Sequence, residues 1–396
     1  MGNPVVIAFV PGTTASVLSN AAGQVWPRLL NPKLLKSERD ILAGIFETVS
    51  DLSVDDLVSD YPLKTPVPCY ESLINYFTGT LQFQRFVYST AVSKGQNHSF
   101  TPDPGKNLFF CVPYDFRQDN VSSATWLNNA LSYIDAAYGS QAYDLYLFAH
   151  SMGGLVSRYL LENGATVKHG TWASKLKTLV TFGTPHLGAP LALAPMVDIL
   201  INSNETPDEG KFLHGLVNST KFPSTYELLP PEGHPFVSDP QGNLYDLFKT
   251  SQDSLLGKLL GTMGFSWGNL TTAGNFFSGL NYAGVNSYGL AYHCMVGTGL
   301  PTVADAPSGA GAYLYTPASG SAAATLTLSP AAGDGDGIVP AGSASFAGAG
   351  NVSVQTFPGY NHGQLAGSDM TDHPDAILAA LKIAGITVTA REPAHA

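Results

Sequence analysis

Apolar-rich runs too short for helices recur along the chain: VVIAFV at 5–10, LFFCV at 108–112, YDLYLFA at 143–149, LKTLVTF at 176–182, HCMV at 293–296 and VSVQTF at 352–357. Most lack a regular polar face, as strands covered on both sides do. Between and after them, apolar residues return at helical spacing over Trp126–Ala137, from Leu155 through Val156, Tyr159 and Leu160, and over Pro374–Ile383. Strands that alternate with helices predict an α/β fold, a mostly parallel sheet with helices on both faces.

Three stretches break this rhythm. Residues 15–107 show no clean alternation: Trp26-Pro27, a Leu-rich piece at Leu29–Leu35 and a helical pattern at Tyr70–Phe77 suggest an irregular excursion over the first strand, a lid region. Residues 189–290 hold helical pieces near Leu191–Leu200 and Asp253–Met263 and an aromatic, Gly-rich stretch at 265–284. They read as an inserted cap or as an ordinary helical insertion with its own core. Residues 303–333 are rich in Ala, Gly and Ser, and Ala312–Thr316 and Ala324–Ser329 could pair as a hairpin insertion. The chain, 1–396, is expected to be a single domain with these additions.

The run at 143–149 stops at His150-Ser151-Met152-Gly153-Gly154, and helical spacing begins at Leu155. Strand, sharp turn and helix with a serine at the apex is the context of a nucleophile elbow, in which the turn lifts the hydroxyl clear of the sheet. An ordinary serine in a βα turn is the competing reading. Hydrolases with this elbow order their triad Ser, acid, His, with acid and base on loops after the last strands. Ser151, Asp336 in GDGDGIVP and His362 in NHG meet that order, each just beyond an expected strand end. His373 is a weaker rival for the base. His186, in the turn after 176–182, follows its strand too closely and is expected to pack or hydrogen-bond there. The loop after the first strand, Pro11-Gly12-Thr13-Thr14, is either a plain turn or the source of one oxyanion-hole N–H. The expected donors are Thr13, with Thr14 in reserve, and Met152.

Composition narrows the partners. A net charge of −11 argues against nucleic acid and against electrostatic docking on anionic lipid. No uninterrupted apolar stretch reaches the length of about 18 residues that a membrane span needs. With 44 % hydrophobic and only 12 % charged residues, the chain can build a large core and still expose apolar surface. Three cysteines, Cys69, Cys111 and Cys294, allow at most one disulfide and lack zinc spacing. Asp334 and Asp336 alone fall short of the roughly six to eight oxygen ligands of calcium. No cofactor and no metal are expected. Residue 1 lies close to the first strand, so the expectation is a secreted or lumenal protein if a leader was removed, and otherwise an intracellular one.

FVPGTTAS, PYDFRQ, AHSMGGLVSRYLL, TFGTPHLGAP, VGTGLPT, GDGDGIVP and NHGQL occur in this order over nearly the whole chain. The set resembles the lecithin:cholesterol acyltransferase family, with its lysosomal phospholipase A2 and phospholipid:diacylglycerol acyltransferase relatives. That resemblance implies an α/β-hydrolase fold with a lid and a cap, lipid acyl-ester substrates met transiently at a lipid–water interface, and Ser151, Asp336 and His362 as nucleophile, acid and base. It also implies Thr13 and Met152 as oxyanion donors. Trp26, close behind the oxyanion loop, is expected to line the acyl trench. Family lids are often closed by a disulfide, and only Cys69 lies in this lid region. The expected activity is a lipase or phospholipase A, with an acyltransferase as alternative and a catalytically dead lipid-binding protein as the remote one.

Overall fold

The structure is a computed structural model that describes residues 2–27, 52–61, 67–96, 99–163, 169–197, 222–284, 286, 288–304, 311–329, 333–346, 348–386 and 388. Its centre is a seven-stranded sheet of β1 (Val5–Val10), β2 (Gln84–Val87), β3 (Leu108–Cys111), β4 (Asp144–His150), β5 (Leu176–Phe182), β6 (Tyr292–Thr298) and β7 (Val352–Pro358). The strands lie in the order β7-β6-β5-β4-β1-β3-β2, and every neighbouring pair is parallel.

The continuous apolar runs are explained by burial on both faces. Val6, Ala8 and Val10 enter one hydrophobic cluster while Ile7 and Phe9 enter the other. Leu108 and Phe110 against Phe109 and Cys111, and Leu145 and Leu147 against Phe148, repeat this division. On the first face lie α1 (Asn120–Tyr138) and α2 (Met152–Glu162); the other is covered by α5 (Asp375–Ile383), through Ala376, Ile377, Ala380 and Leu381. Asp119 caps α1 by accepting the Ser122 N–H at 2.8 Å, so the helix starts six residues before the apolar spacing at Trp126. Its first turn buries Asn120 and Ser123, polar residues that leave no periodic signal.

Within 15–107, an antiparallel sheet of Ser16–Asn20, Gly23–Trp26 and Ser53–Leu57 follows the first strand. The same stretch also supplies β2, an edge strand of the central sheet. Gln84-Arg85-Phe86-Val87 is only half-buried throughout, so it carries no continuous apolar run. The Leu-rich piece at 29–35 lies outside the described residues. In the cap, Val237–Ser238 and Leu244–Tyr245 pair with each other, and Val237–Ser238 also pairs with the hairpin Tyr313–Thr316/Thr325–Leu328. Cap and hairpin segments thus share one four-stranded sheet. The cap also holds α3 (Leu255–Thr262) and α4 (Trp267–Ser278). Among the described residues no helix is long and apolar enough to cross a membrane. All three cysteines are free and buried, so Cys69 closes no lid bridge.

Candidate active site

Ser151 sits between the last residue of β4 and the first of α2, with φ 52° and ψ −125°. A side chain in that region is strained by about 1–3 kcal/mol, and only a firm surrounding keeps it there. Its N–H donates to the Phe182 carbonyl at 2.9 Å, and its carbonyl accepts the Gly154 N–H at 3.0 Å. The helix can start immediately because Gly153 lies against β1: a Cβ there would stand 2.4 Å from the Val10 carbonyl oxygen and 2.5 Å from that of Pro11. Ser151 is 7 % exposed, and its hydroxyl makes no hydrogen bond among the described residues. Met152 is the first residue of α2, so no helical carbonyl takes its N–H.

The loops beyond β6 and β7 carry the other two candidates. Asp336 is 1 % exposed, and its carboxylate is fully engaged. One oxygen accepts the N–H groups of Ile338 at 2.9 Å and Val339 at 2.7 Å; the other lies 2.7 Å from Nδ1 of His362. The His362 N–H donates to the Asp336 carbonyl at 3.1 Å, so backbone and side chain of the pair are locked together. Gly183 follows Phe182 with φ +55°, and a Cβ on it would lie 2.7 Å from the Asp336 carboxylate and 3.0 Å from the His362 ring. The residue whose carbonyl holds the Ser151 N–H therefore directly precedes the one whose Cα faces the Asp–His pair. This is how the fold brings the three side chains to one end of the sheet.

The loop after β1 is pinned from several sides. Trp26, 4 % exposed, donates its indole N–H to the Thr14 carbonyl. Tyr61 hydrogen-bonds the Thr14 hydroxyl at 3.0 Å, and Tyr114 donates to the Pro11 carbonyl at 3.1 Å. Thr13 and Thr14 are half-buried, and no acceptor among the described residues takes the Thr13 N–H. The Trp26 indole N–H thus supports this loop. Tyr61, Tyr70 and Tyr114 are partners that sequence reasoning missed, because nothing local in the sequence marks a tyrosine whose acceptor lies tens of residues away.

His186 and His373 are engaged elsewhere. His186 is fully buried: its ring stacks on Phe346 at 4.8 Å, Nε2 lies 3.2 Å from the Thr181 hydroxyl, and Nδ1 lies 3.3 Å from Arg158. Burial, with Arg158 beside it, holds its pKa well below the usual histidine value. Arg158 itself is buried in α2, paired with Glu162 at 2.8 Å and lying over the Phe346 ring at 4.0 Å. His373 pairs with Asp369 at 2.9 Å beside α5. Asp334 accepts the Gly299 N–H. Among the described residues no three His, Cys, Asp or Glu side chains are grouped to hold a metal ion.

Residues 68–253 match the family model described as lecithin:cholesterol acyltransferase. The chain is similar to the solved structure of the Tle4–Tli4 complex, with a TM-score of 0.56 and 14 % identity over 98 % of this chain and 100 % of that one. A gene product of Listeria innocua, lin2722, aligns at TM-score 0.41 and 10 % identity, covering 98 % and 96 % of the two chains. The mature lipase BlEst2 of Bacillus licheniformis aligns at 0.38 and 12 %, covering 96 % and 91 %. No curated protein matches the sequence. The fold is that of an α/β hydrolase.

Proposed function

Taking a lecithin:cholesterol acyltransferase-like α/β hydrolase as the premise, we propose that this protein cleaves lipid acyl esters through a Ser151–His362–Asp336 triad. The observation that carries the reading is the 2.7 Å contact between Nδ1 of His362 and a buried carboxylate whose other oxygen is held by two backbone N–H groups, with a serine on a strained elbow at the same end of the sheet. Asp336 fixes the imidazole so that Nδ1 carries a proton and Nε2 can act as base. Nε2 takes the Ser151 proton as Oγ attacks the ester carbonyl, and the bond to the leaving alcohol or lysolipid breaks as that proton passes to it. The developing oxyanion meets the Thr13 and Met152 N–H groups. Water then attacks the acyl-enzyme, His362 taking its proton and handing it to Ser151 Oγ as the acyl–oxygen bond breaks, and free fatty acid leaves. Contact between Ser151 and His362 is expected to tighten only with substrate bound, as in other enzymes of this kind.

A fluorophosphonate probe should label Ser151, and purified protein should release fatty acid from phospholipid vesicles, acylglycerol emulsions or short acyl esters. Ser151→Ala should lower kcat by about 10⁴-fold or more. Absence of both labelling and fatty acid release would sink the reading. The matched family's description favours a second acceptor, a lipid alcohol in place of water. A labelled alcohol in the vesicles separates the two: labelled ester means transfer, free acid alone means hydrolysis.

A further inference from the structure

The elbow, the oxyanion loop and the base are joined by one hydrogen-bonded chain that the proposed chemistry does not itself use. Tyr70 comes from the irregular stretch between β1 and β2 and is 1 % exposed; His150, the residue before the nucleophile, is 8 % exposed. The Gly12 N–H lies 3.0 Å from the Tyr70 hydroxyl, that hydroxyl lies 2.6 Å from Nδ1 of His150, and Nε2 of His150 lies 3.1 Å from the His362 carbonyl.

Chemistry permits a single consistent assignment of the protons. A carbonyl only accepts, so Nε2 of His150 carries a proton. Burial, reinforced by His362 nearby, pushes the His150 pKa well below its usual value, so the ring is neutral and Nδ1 keeps its lone pair. The Tyr70 hydroxyl, itself held protonated by burial, must then donate to Nδ1 and accept from Gly12. Donation runs one way, from Gly12 through Tyr70 and His150 to the backbone of His362, and each bond polarises the next.

The surrounding rings hold the chain in register. Tyr70 meets Phe9 edge-on at 4.9 Å and His150 edge-on at 5.8 Å, and the His150 and His362 rings lie 4.7 Å apart. Hydrogen bonds from the Tyr70 N–H to Val58 and Ser59 fix its backbone. Gly12 precedes the expected oxyanion donor Thr13, and a Cβ on Gly12 would stand 3.0 Å from that of Ser151.

We propose that Tyr70, acting through His150, is a positioning residue that sets the oxyanion loop at its working distance from the base; this rests on the triad reading above. With its hydroxyl removed, Gly12 loses its acceptor and the neighbouring Thr13 N–H its fixed aim.

The test compares a 4-nitrophenyl ester with its thiono (C=S) analogue. Sulfur is a weak hydrogen-bond acceptor, so the oxo-to-thiono ratio of kcat/KM reports the oxyanion hole in particular. Rates are taken per active site titrated with fluorophosphonate, which removes any misfolded fraction. Tyr70→Phe should lower kcat for the oxo ester about 10–100-fold, less than the ~10²–10³-fold loss of a whole donor, with KM within about two-fold. The oxo-to-thiono ratio should fall with it. His150→Leu, which breaks the same chain at its next link, should lower the ratio likewise and carries the test if Tyr70→Phe does not fold. Tyr146→Phe, in the same strand as His150 but outside the chain, is the control and should leave it unchanged. A wild-type ratio in Tyr70→Phe, or a kcat loss with no change in ratio, overturns the proposal. Wild-type protein that neither reacts with the probe nor turns over either ester fails at the triad instead.

Discussion

Every lone pair of Asp336 that the fold can reach is used: two by backbone N–H groups of its own loop, one by His362. Asp336→Asn keeps the size and the backbone acceptor but presents an amide N–H₂ or a weaker acceptor to Nδ1, so the imidazole loses the tautomer that leaves Nε2 free. Steady-state kinetics should show kcat down about 10⁴-fold with the melting temperature little changed. A loss below about ten-fold would remove Asp336 from the proposed role. The triad candidates were legible because serine, acid and histidine each stand in Gly-rich punctuation just past an apolar run. Tyr70 and His150 were not legible as a pair: 80 positions separate them, and single-sequence patterns report only near neighbours. Trp26 was noticed for its closeness in sequence to the oxyanion loop, but its indole N–H faces the loop's backbone, a direction that sequence does not carry.

Among elements, the contact of α2 with β1 sets the elbow. Gly153→Val would drive a branched side chain into the Val10 carbonyl, at the end of a strand paired on both sides, and into the Pro11 carbonyl, held in the loop after it by Tyr114. Overpacking of this kind costs about 1–3 kcal/mol. Denaturant melts should show that loss, and activity per folded molecule should fall too, because the same shift displaces the Met152 N–H. Strands read well from sequence where they are buried on both faces, as VVIAFV, LFFCV and LKTLVTF are. They read poorly at the edge: β2 mixes Gln84 and Arg85 with Phe86 and Val87 because solvent reaches it. The hairpin at 313–328 was visible as two short runs, but its pairing with Val237–Ser238 depends on a contact that no local pattern records.

For the whole molecule, the cap is fastened to the sheet domain through a buried acid. Glu227 accepts the Asn120 N–H at 2.7 Å at the start of α1, its second oxygen has no partner among the described residues, and burial pushes its carboxyl up to about 8. The usual value is 4.5, so between these two pH values the folded chain binds a proton that the unfolded chain releases. Stability therefore falls as pH rises through that window, by about 1.4 kcal/mol per unit. Unfolding free energies at pH 5 and pH 8 should differ by several kcal/mol in this sense. Glu227→Gln should flatten the slope and make the protein more stable than wild type at pH 8; an unchanged slope would assign the effect elsewhere.

The last strand has a consequence of its own. β7 is one of the sheet's two outer members, held by β6 alone, with Ser353, Val354, Gln355 and Thr356 exposed, and the loop bearing His362 follows it directly. Strands so placed fray before the centre of a sheet opens. On gradual warming, esterase activity should vanish while far-ultraviolet dichroism still reports an intact sheet, and hydrogen exchange should find the amides of 352–358 the first of the central strands to open. Heat would disarm the protein before it melts it.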